Sequence, residues 1–304
     1  MEEAEEARPS KKARGSAGSG LTAFAHRLAK RLGDGGGGHL HRNLVFSPVS
    51  IYTALSLVAA GARGATLDEL LSLLGAASRD DLAVFARDVA ERTLADQSGS
   101  RGGGGGGGPL VTFACGLWRE KTVALKPAYR AVAVESYKAG TRSADFCNKP
   151  EEAREIINRC VSKATKDLIT SILLPGSVNS GTGLVVANAI YFKGMWQFHL
   201  LDGSTVRAQF ISAQKDLAVA THRGFKQAAR QERPRFSMCV FLPNARDGLP
   251  GLMDKMASHP NFLWDHLPTD RCKTGEVRLP KFKLSFSSRI NSVLKAMGCK
   301  LPLT

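Results

Sequence analysis

The chain has 304 residues, 43 % of them hydrophobic, and a formal net charge of +15 at pH 7. That much apolar sequence excludes wholesale disorder. Of its 31 glycines, most lie outside the two runs at 35–38 and 102–108 at ordinary density, which excludes a collagen-like or linker chain, and the longest apolar stretches, 49–60 and 184–192, are too short to cross a bilayer.

Residues 1–20 carry charges, Gly and Ser and are expected to form a disordered leader. Leu21 to Leu32 predicts a short amphipathic helix ending at Gly33, with Lys30 and Arg31 in its last turn, where cations suit the helix dipole. The first glycine run, 35–38, reads as a loop expansion. In Asn43-Leu-Val-Phe-Ser-Pro-Val-Ser50, Ser47 is a good N-cap and Pro48 a good first helical residue. The helix they open, Pro48 to Ala60, is apolar on nearly every side and should be buried; Gly61 stops it. Thr66-Leu-Asp-Glu69 reads as a capping box for a helix that closes at Gly75. A further helix is expected from Asp80 to Leu94.

The second glycine run, 102–108, has no Gly-Lys-Ser/Thr after it, so it is a loop expansion rather than a phosphate loop. A strand is predicted over Leu110 to Trp118 and a helix over Pro150 to Ile169. Leu184 to Phe192 is β-friendly and apolar apart from Asn188, which suits a strand covered on both faces and makes Asn188 a buried amide in need of partners. Arg235 to Leu242 reads as a strand stopped by Pro243. Between Glu276 and Phe286 the apolar parity breaks across Pro280, which predicts a bulge or bend there. Ser288 to Met297 forms the last helix. The order predicts one α+β domain without internal repeats.

No catalytic, cofactor or metal site emerges from the residues. Ser47 and Ser50 lack a GxSxG context, and Asp80-Asp81 and Glu151-Glu152 sit at helix starts, where the dipole gives them a structural role. The six cysteines contain no CxxC, and His39 and His41 read as loop histidines more readily than as metal ligands. An acidic opening in place of a signal peptide predicts reduced thiols and a cytoplasmic or nuclear location. Arg8-Pro-Ser-Lys-Lys-Ala-Arg14 is similar to a nuclear import signal, and equally to a flexible charged terminus. From Arg271 to Thr304 there are eight Lys or Arg against one Glu. This surplus fits weak polyanion or nucleic-acid binding, or a basic solvated surface without interleaved aromatics.

Taken in order, these segments resemble the serpin family, most closely the plant Z-type serpins. Asn43-x-x-x-Ser47-Pro-x-Ser50 with Gly61-Ala-x-Gly-x-Thr66 is a specific opening pair. Val186-Ala-Asn-Ala-Ile-Tyr-Phe-Lys-Gly-Met-Trp196 matches the family's central strand of sheet A, and Phe241-Leu-Pro243, Asp247-Gly-Leu-Pro250 and Leu279-Pro-Lys-Phe282 follow in the family's order. The resemblance spans residues 21–302. It implies a serpin-like α+β fold, N-terminal helices packed on large mixed and antiparallel sheets, incomplete at its C-terminal end. It would place Ser47, Ser50 and Asn188 in the shutter beneath sheet A and Trp196 at the breach where strand insertion begins; plain capping and core duty is the simpler alternative for all four.

Two departures bear on function. Trp196 is followed almost at once by Phe198-His-Leu-Leu-Asp-Gly203, where the family has a further loop and strand. The chain also stops at Leu301-Pro-Leu-Thr304, ahead of the family's alanine-rich hinge, shutter histidine and reactive-centre loop with its scissile bond. A serpin traps its protease by inserting that loop as a new strand. The expectation is a truncated serpin domain over 21–304 that is not an enzyme and does not inhibit, with endopeptidases as partners at family level only and no stable complex. An endopeptidase inhibitor, if a C-terminal segment is missing from this chain, is the alternative, and an extracellular location rests on family analogy alone.

Overall fold

Helices come first and strands later in the computed structural model, which describes residues 16–33, 44–93, 110–193, 210–213, 218–232, 236–245, 247–267, 277–280 and 291–300. Helix α1 (Ser16–Gly33) starts five residues before Leu21, so it takes in the end of the expected leader, whose residues 1–15 lie outside the described ones. Packing decides this start against propensity. A Cβ on Gly20 would fall 2.3 Å from the Leu74 carbonyl oxygen, so glycine lets α1 lie against the chain around Leu74 and Gly75.

Helix α2 (Pro48–Gly61) is capped as expected: the Ser47 side chain accepts from the Ser50 N–H at 3.2 Å, and Tyr52, Thr53, Leu55, Ser56, Leu57 and Ala59 are buried. Helix α3 (Gly64–Leu74) corrects the capping box. Gly64, at φ +55, turns the chain into the helix three residues early, Arg63 stands at the N-cap without a side-chain bond, and Thr66 is already inside. Glu69 instead accepts from the Lys300 N–H at 3.1 Å. Gly75 ends α3 in the left-handed region, as its position predicts. Helix α4 (Arg79–Asp88) is capped by Ser78, which accepts from the Asp81 N–H, and runs into a π-helical turn over residues 89–93. Phe24, Leu28, Tyr52, Leu70, Leu74 and Leu82 form the core of this helical layer.

Strand β1 (Leu110–Glu120) leads through α5 (Pro127–Glu135) to β2 (Gly140–Ala144), then through α6 (Pro150–Ala164) to β3 (Leu184–Lys193). The sheet order is β2-β1-β3; β2 runs parallel to β1, and β3 is antiparallel with Cys115 opposite Asn188. Glycine is required at 116, because a Cβ there would sit 2.2 Å from the Trp118 ring. Helix α6 stops short of the expected Ile169. Thr165 Oγ1 donates back to the Val161 carbonyl at 2.9 Å and accepts from the Ile169 N–H, and Lys166 and Asp167 take positive φ.

Both faces of β3 are covered, as its apolar run predicts. Val185 and Ala187 join Trp118, Phe146 and Ile157 under α6, while Val186 joins Leu57, Leu117 and Tyr137 on the α2–α5 side. Farther on, β4 (Phe210–Ala213) awaits its antiparallel partner, and β5 (Ala218–His222), β6 (Phe225–Glu232) and β7 (Phe236–Pro243) form a meander. After β7, which ends at the expected Pro243, come α7 (Leu249–Ser258), α8 (Phe262–Asp265) and β8 (Val277–Pro280), the partner of β4. The parity break at Pro280 coincides with the end of β8, and the stretch beyond it lies outside the described residues, as do both glycine runs. Helix α9 (Asn291–Ala296) falls within the expected 288–297, whose first three residues lie outside the described ones, and buries Val293 and Leu294 in the helical core.

Candidate functional site

The alternation of β3 puts Asn188 on the same face as Val186, toward α2. There its Nδ2–H donates to the Ser50 carbonyl oxygen at 3.2 Å, joining residues 138 positions apart. The Ser50 N–H is already donated to Ser47 Oγ. One residue at the start of α2 is thus held from both sides, by the cap behind it and by the sheet above it. Three of the four residues singled out from the sequence meet here; Trp196 lies outside the described residues.

The site is not saturated. Asn188 Oδ1 and Thr53 Oγ1 are both buried without a hydrogen-bond partner among the described residues. Thr53 was not anticipated, although Ser50-x-x-Thr53 is helical spacing that places both hydroxyls on one face. Each such buried polar atom costs about 1–3 kcal/mol.

Three tyrosines tie α2 to its neighbours, Tyr52 from within it and Tyr129 and Tyr137 from the α5 side. Tyr52 OH donates to the Leu74 carbonyl at 3.1 Å, Tyr129 OH to Leu57 at 3.1 Å and Tyr137 OH to Ser56 at 3.0 Å. Burial raises all three phenols; Tyr129 is pushed up to about 12, with the neighbouring Cys115 adding to the effect. The Cys115 thiol is itself pushed up to about 12 by burial and so stays protonated.

This arrangement holds elements together rather than performing chemistry. No described hydrogen bond joins Ser47 or Ser50 to a histidine or carboxylate, and among the described residues no three His, Cys, Asp or Glu gather as a metal set. No helix of the described residues is long and apolar enough to cross a membrane. Of the basic segment 271–304, Lys295 and Lys300 are exposed, and most of the rest lies outside the described residues.

A helical layer latched beneath the middle of a β2-β1-β3 sheet, followed by a meander packed on α7 and α8, is a serpin arrangement, and the chain belongs to that family: a profile described as "Serpin (serine protease inhibitor)" matches residues 19–304. Its relatives include the plant Z-type serpins. Rice Serpin-Z2A is 48 % identical, the match covering 92 % of this chain and 75 % of the relative. Among solved structures, Arabidopsis AtSerpin1 in its native stressed conformation has a TM-score of 0.81 at 37 % identity, over 95 % of this chain and 76 % of that one. Emu ovalbumin gives 0.80 at 25 % identity, over 94 % and 78 %.

Proposed function

We propose that the protein formed by these 304 residues is a non-inhibitory serpin that neither acylates a protease nor inserts a loop into its sheet. Serpins are usually protease inhibitors, and the observation that sets this chain apart is the lack of an alanine-rich hinge in its sequence. Its Ala-Ala pairs fall in helix α2 (Ala59-Ala60), in the turn after α3 (Ala76-Ala77) and in β6 (Ala228-Ala229), none of them in a hinge context. In this reading Ser47, Ser50 and Asn188 form the shutter, with Trp196 at the breach, and they stabilise a closed sheet instead of timing its opening. In this reading the protein is not an enzyme. Incubation with trypsin-, chymotrypsin- and papain-like proteases is expected to give cleavage or no reaction. An SDS-stable complex with any of them would overturn the reading.

The match to three quarters of rice Serpin-Z2A supports a second reading, in which these residues are part of a longer endopeptidase inhibitor. Sequencing transcripts through the codon for Thr304 separates the two. A stop codon there in every transcript favours the first, and an in-frame hinge and loop favour the second.

A further inference from the structure

Along α6 the charges separate into a paired half and a basic half. In the N-terminal half of this helix the charges cancel locally. Glu151 is bound by Arg154 at 2.6 Å, Glu152 by Lys149 at 2.9 Å, and Glu155 lies 3.8 Å from Arg154. The C-terminal half differs. Arg159, Lys163 and Lys166 are exposed and make no ion pair among the described residues. Arg159 and Lys163 stand one turn apart on one face, and the Lys166 N–H bonds the Lys163 carbonyl, continuing the row past the helix end. Arg142 of β2 is drawn to the same place, its guanidinium donating to Cys160 Sγ at 2.7 Å. The nearby carboxylate of Asp167 is engaged by the Ser162 hydroxyl at 2.7 Å.

Helix-dipole complementarity accounts for Lys163 and Lys166, near the negative end of α6. It does not account for Arg142 and Arg159, which lie outside the last turn. The four cations span about 10 Å along the helix axis, counted at its usual rise. Exposed apolar neighbours on and after α6 are Ile156 and Leu168, neither of which can stack on a base.

We propose that the C-terminal half of α6, with Arg142 of β2, is a docking strip for the phosphodiester backbone of duplex nucleic acid, read by charge density and not by base sequence. A duplex carries about six charges in that length, enough to engage all four cations. Single-strand binding would want aromatic platforms, which the strip lacks. The strip is independent of whether the chain inhibits proteases.

The test is fluorescence anisotropy of a fluorescein-labelled duplex DNA of about 20 base pairs with the full chain, titrated between 50 and 200 mM salt. Four contacts predict that the strip alone contributes a slope of about −3.6 in log K against log salt, about a hundredfold across that range. The variant Arg142→Gln/Arg159→Gln/Lys163→Gln/Lys166→Gln is expected to lose most of that slope and at least tenfold in affinity at 50 mM. A control with equally exposed cations elsewhere, Arg31→Gln/Arg63→Gln/Lys226→Gln/Lys295→Gln, should keep the slope. If the first variant does not fold, Arg159→Gln/Lys163→Gln is used and should remove about half the strip's slope. Equal losses in strip and control variants would overturn the proposal, as would no duplex binding at 50 mM. Binding of a sulfated glycan through the strip with none of the duplex would overturn it as well.

Discussion

The Asn188 amide hydrogen-bonds the sheet to helix α2, and its chemistry is asymmetric. Asn188 donates through Nδ2 to the Ser50 carbonyl, while its Oδ1 has no partner among the described residues. Asn188→Ala removes one good bond and one unsatisfied acceptor together, so the expected loss in urea unfolding is modest, about 1 kcal/mol. Asn188→Asp should cost more at pH 7, about 2–3 kcal/mol, because a carboxylate cannot donate to the Ser50 carbonyl and faces it as a charge. The folded protein then favours the protonated acid, which can donate, so the deficit should shrink as pH falls through the raised pKa of that new carboxyl. Equal stability of the two variants at pH 7 would mean that Asn188 does not act as a donor. Tyr129 gives the opposite end of the pH scale. Its phenol, pushed up to about 12 chiefly by burial, is neutral in the fold, so its contribution is fully present below pH ~10 and is lost as pH rises toward 12. Thermal unfolding followed from pH 8 to 11.5 should show the Tyr129→Phe variant less stable at pH 8, having lost the bond to Leu57, but declining less steeply above pH 10.

At the scale of elements, the helix starts separate what a motif shows from what packing imposes. Ser47 and Ser78 cap their helices through the Ser50 and Asp81 N–H groups, whereas Thr66 has the sequence of a cap and the position of an interior residue. Ser47→Ala and Ser78→Ala should each cost about 1 kcal/mol in urea unfolding. Thr66→Ala should stay within about 0.5 kcal/mol; a loss equal to the other two would restore the capping box. The same contrast sets how far the fold was legible. Helices α2 and α6 and strands β1, β3 and β7 have runs or periods long enough to read directly. Strand β2, Gly-Thr-Arg-Ser-Ala, has no apolar run and is a strand because β1 pairs with it. Strand β6, Phe-Lys-Gln-Ala-Ala-Arg-Gln-Glu, carries residues that suit a helix and is held in register by β5 and β7. At the site, Ser47 and Asn188 were legible because a cap and a polar break in an apolar run are local signals. The hydroxyls of Tyr129 and Tyr137 were not, since their acceptors lie 72 and 81 residues away.

Across the whole molecule the buried apolar groups are unequally shared. The helical layer closes over Phe24, Leu28, Tyr52, Leu70, Leu74 and Leu82 among others, and β1 and β3 are packed on both faces. Among the described residues, the β5-β6-β7 meander rests on a smaller cluster, in which Phe225, Leu252 and Phe262 are buried and Phe241 and Met256 partly so. Beside it His222 Nε2 is buried without a hydrogen-bond partner among the described residues, a further cost to this layer. Its link to the helical layer runs through α1 and α7, where Lys30 pairs with Asp254 on the surface and Gly33 receives the Met253 side chain. An exposed ion pair contributes little. The meander with α7 and α8 should therefore open as a unit at lower free energy than the β1–β3 sheet. Native-state hydrogen exchange is expected to show amides of β6 and α7 exchanging at least tenfold faster than those of β1 and α2. Phe262→Ala sharpens the test, since it empties the centre of the small cluster at a cost of about 3–5 kcal/mol. If the two layers are separate cooperative units, that variant weakens protection in β6 and α7 and leaves β1 unchanged. If β1 protection falls by the same amount, the meander and the helical layer unfold together, and the small cluster is as integral to the fold as the large one.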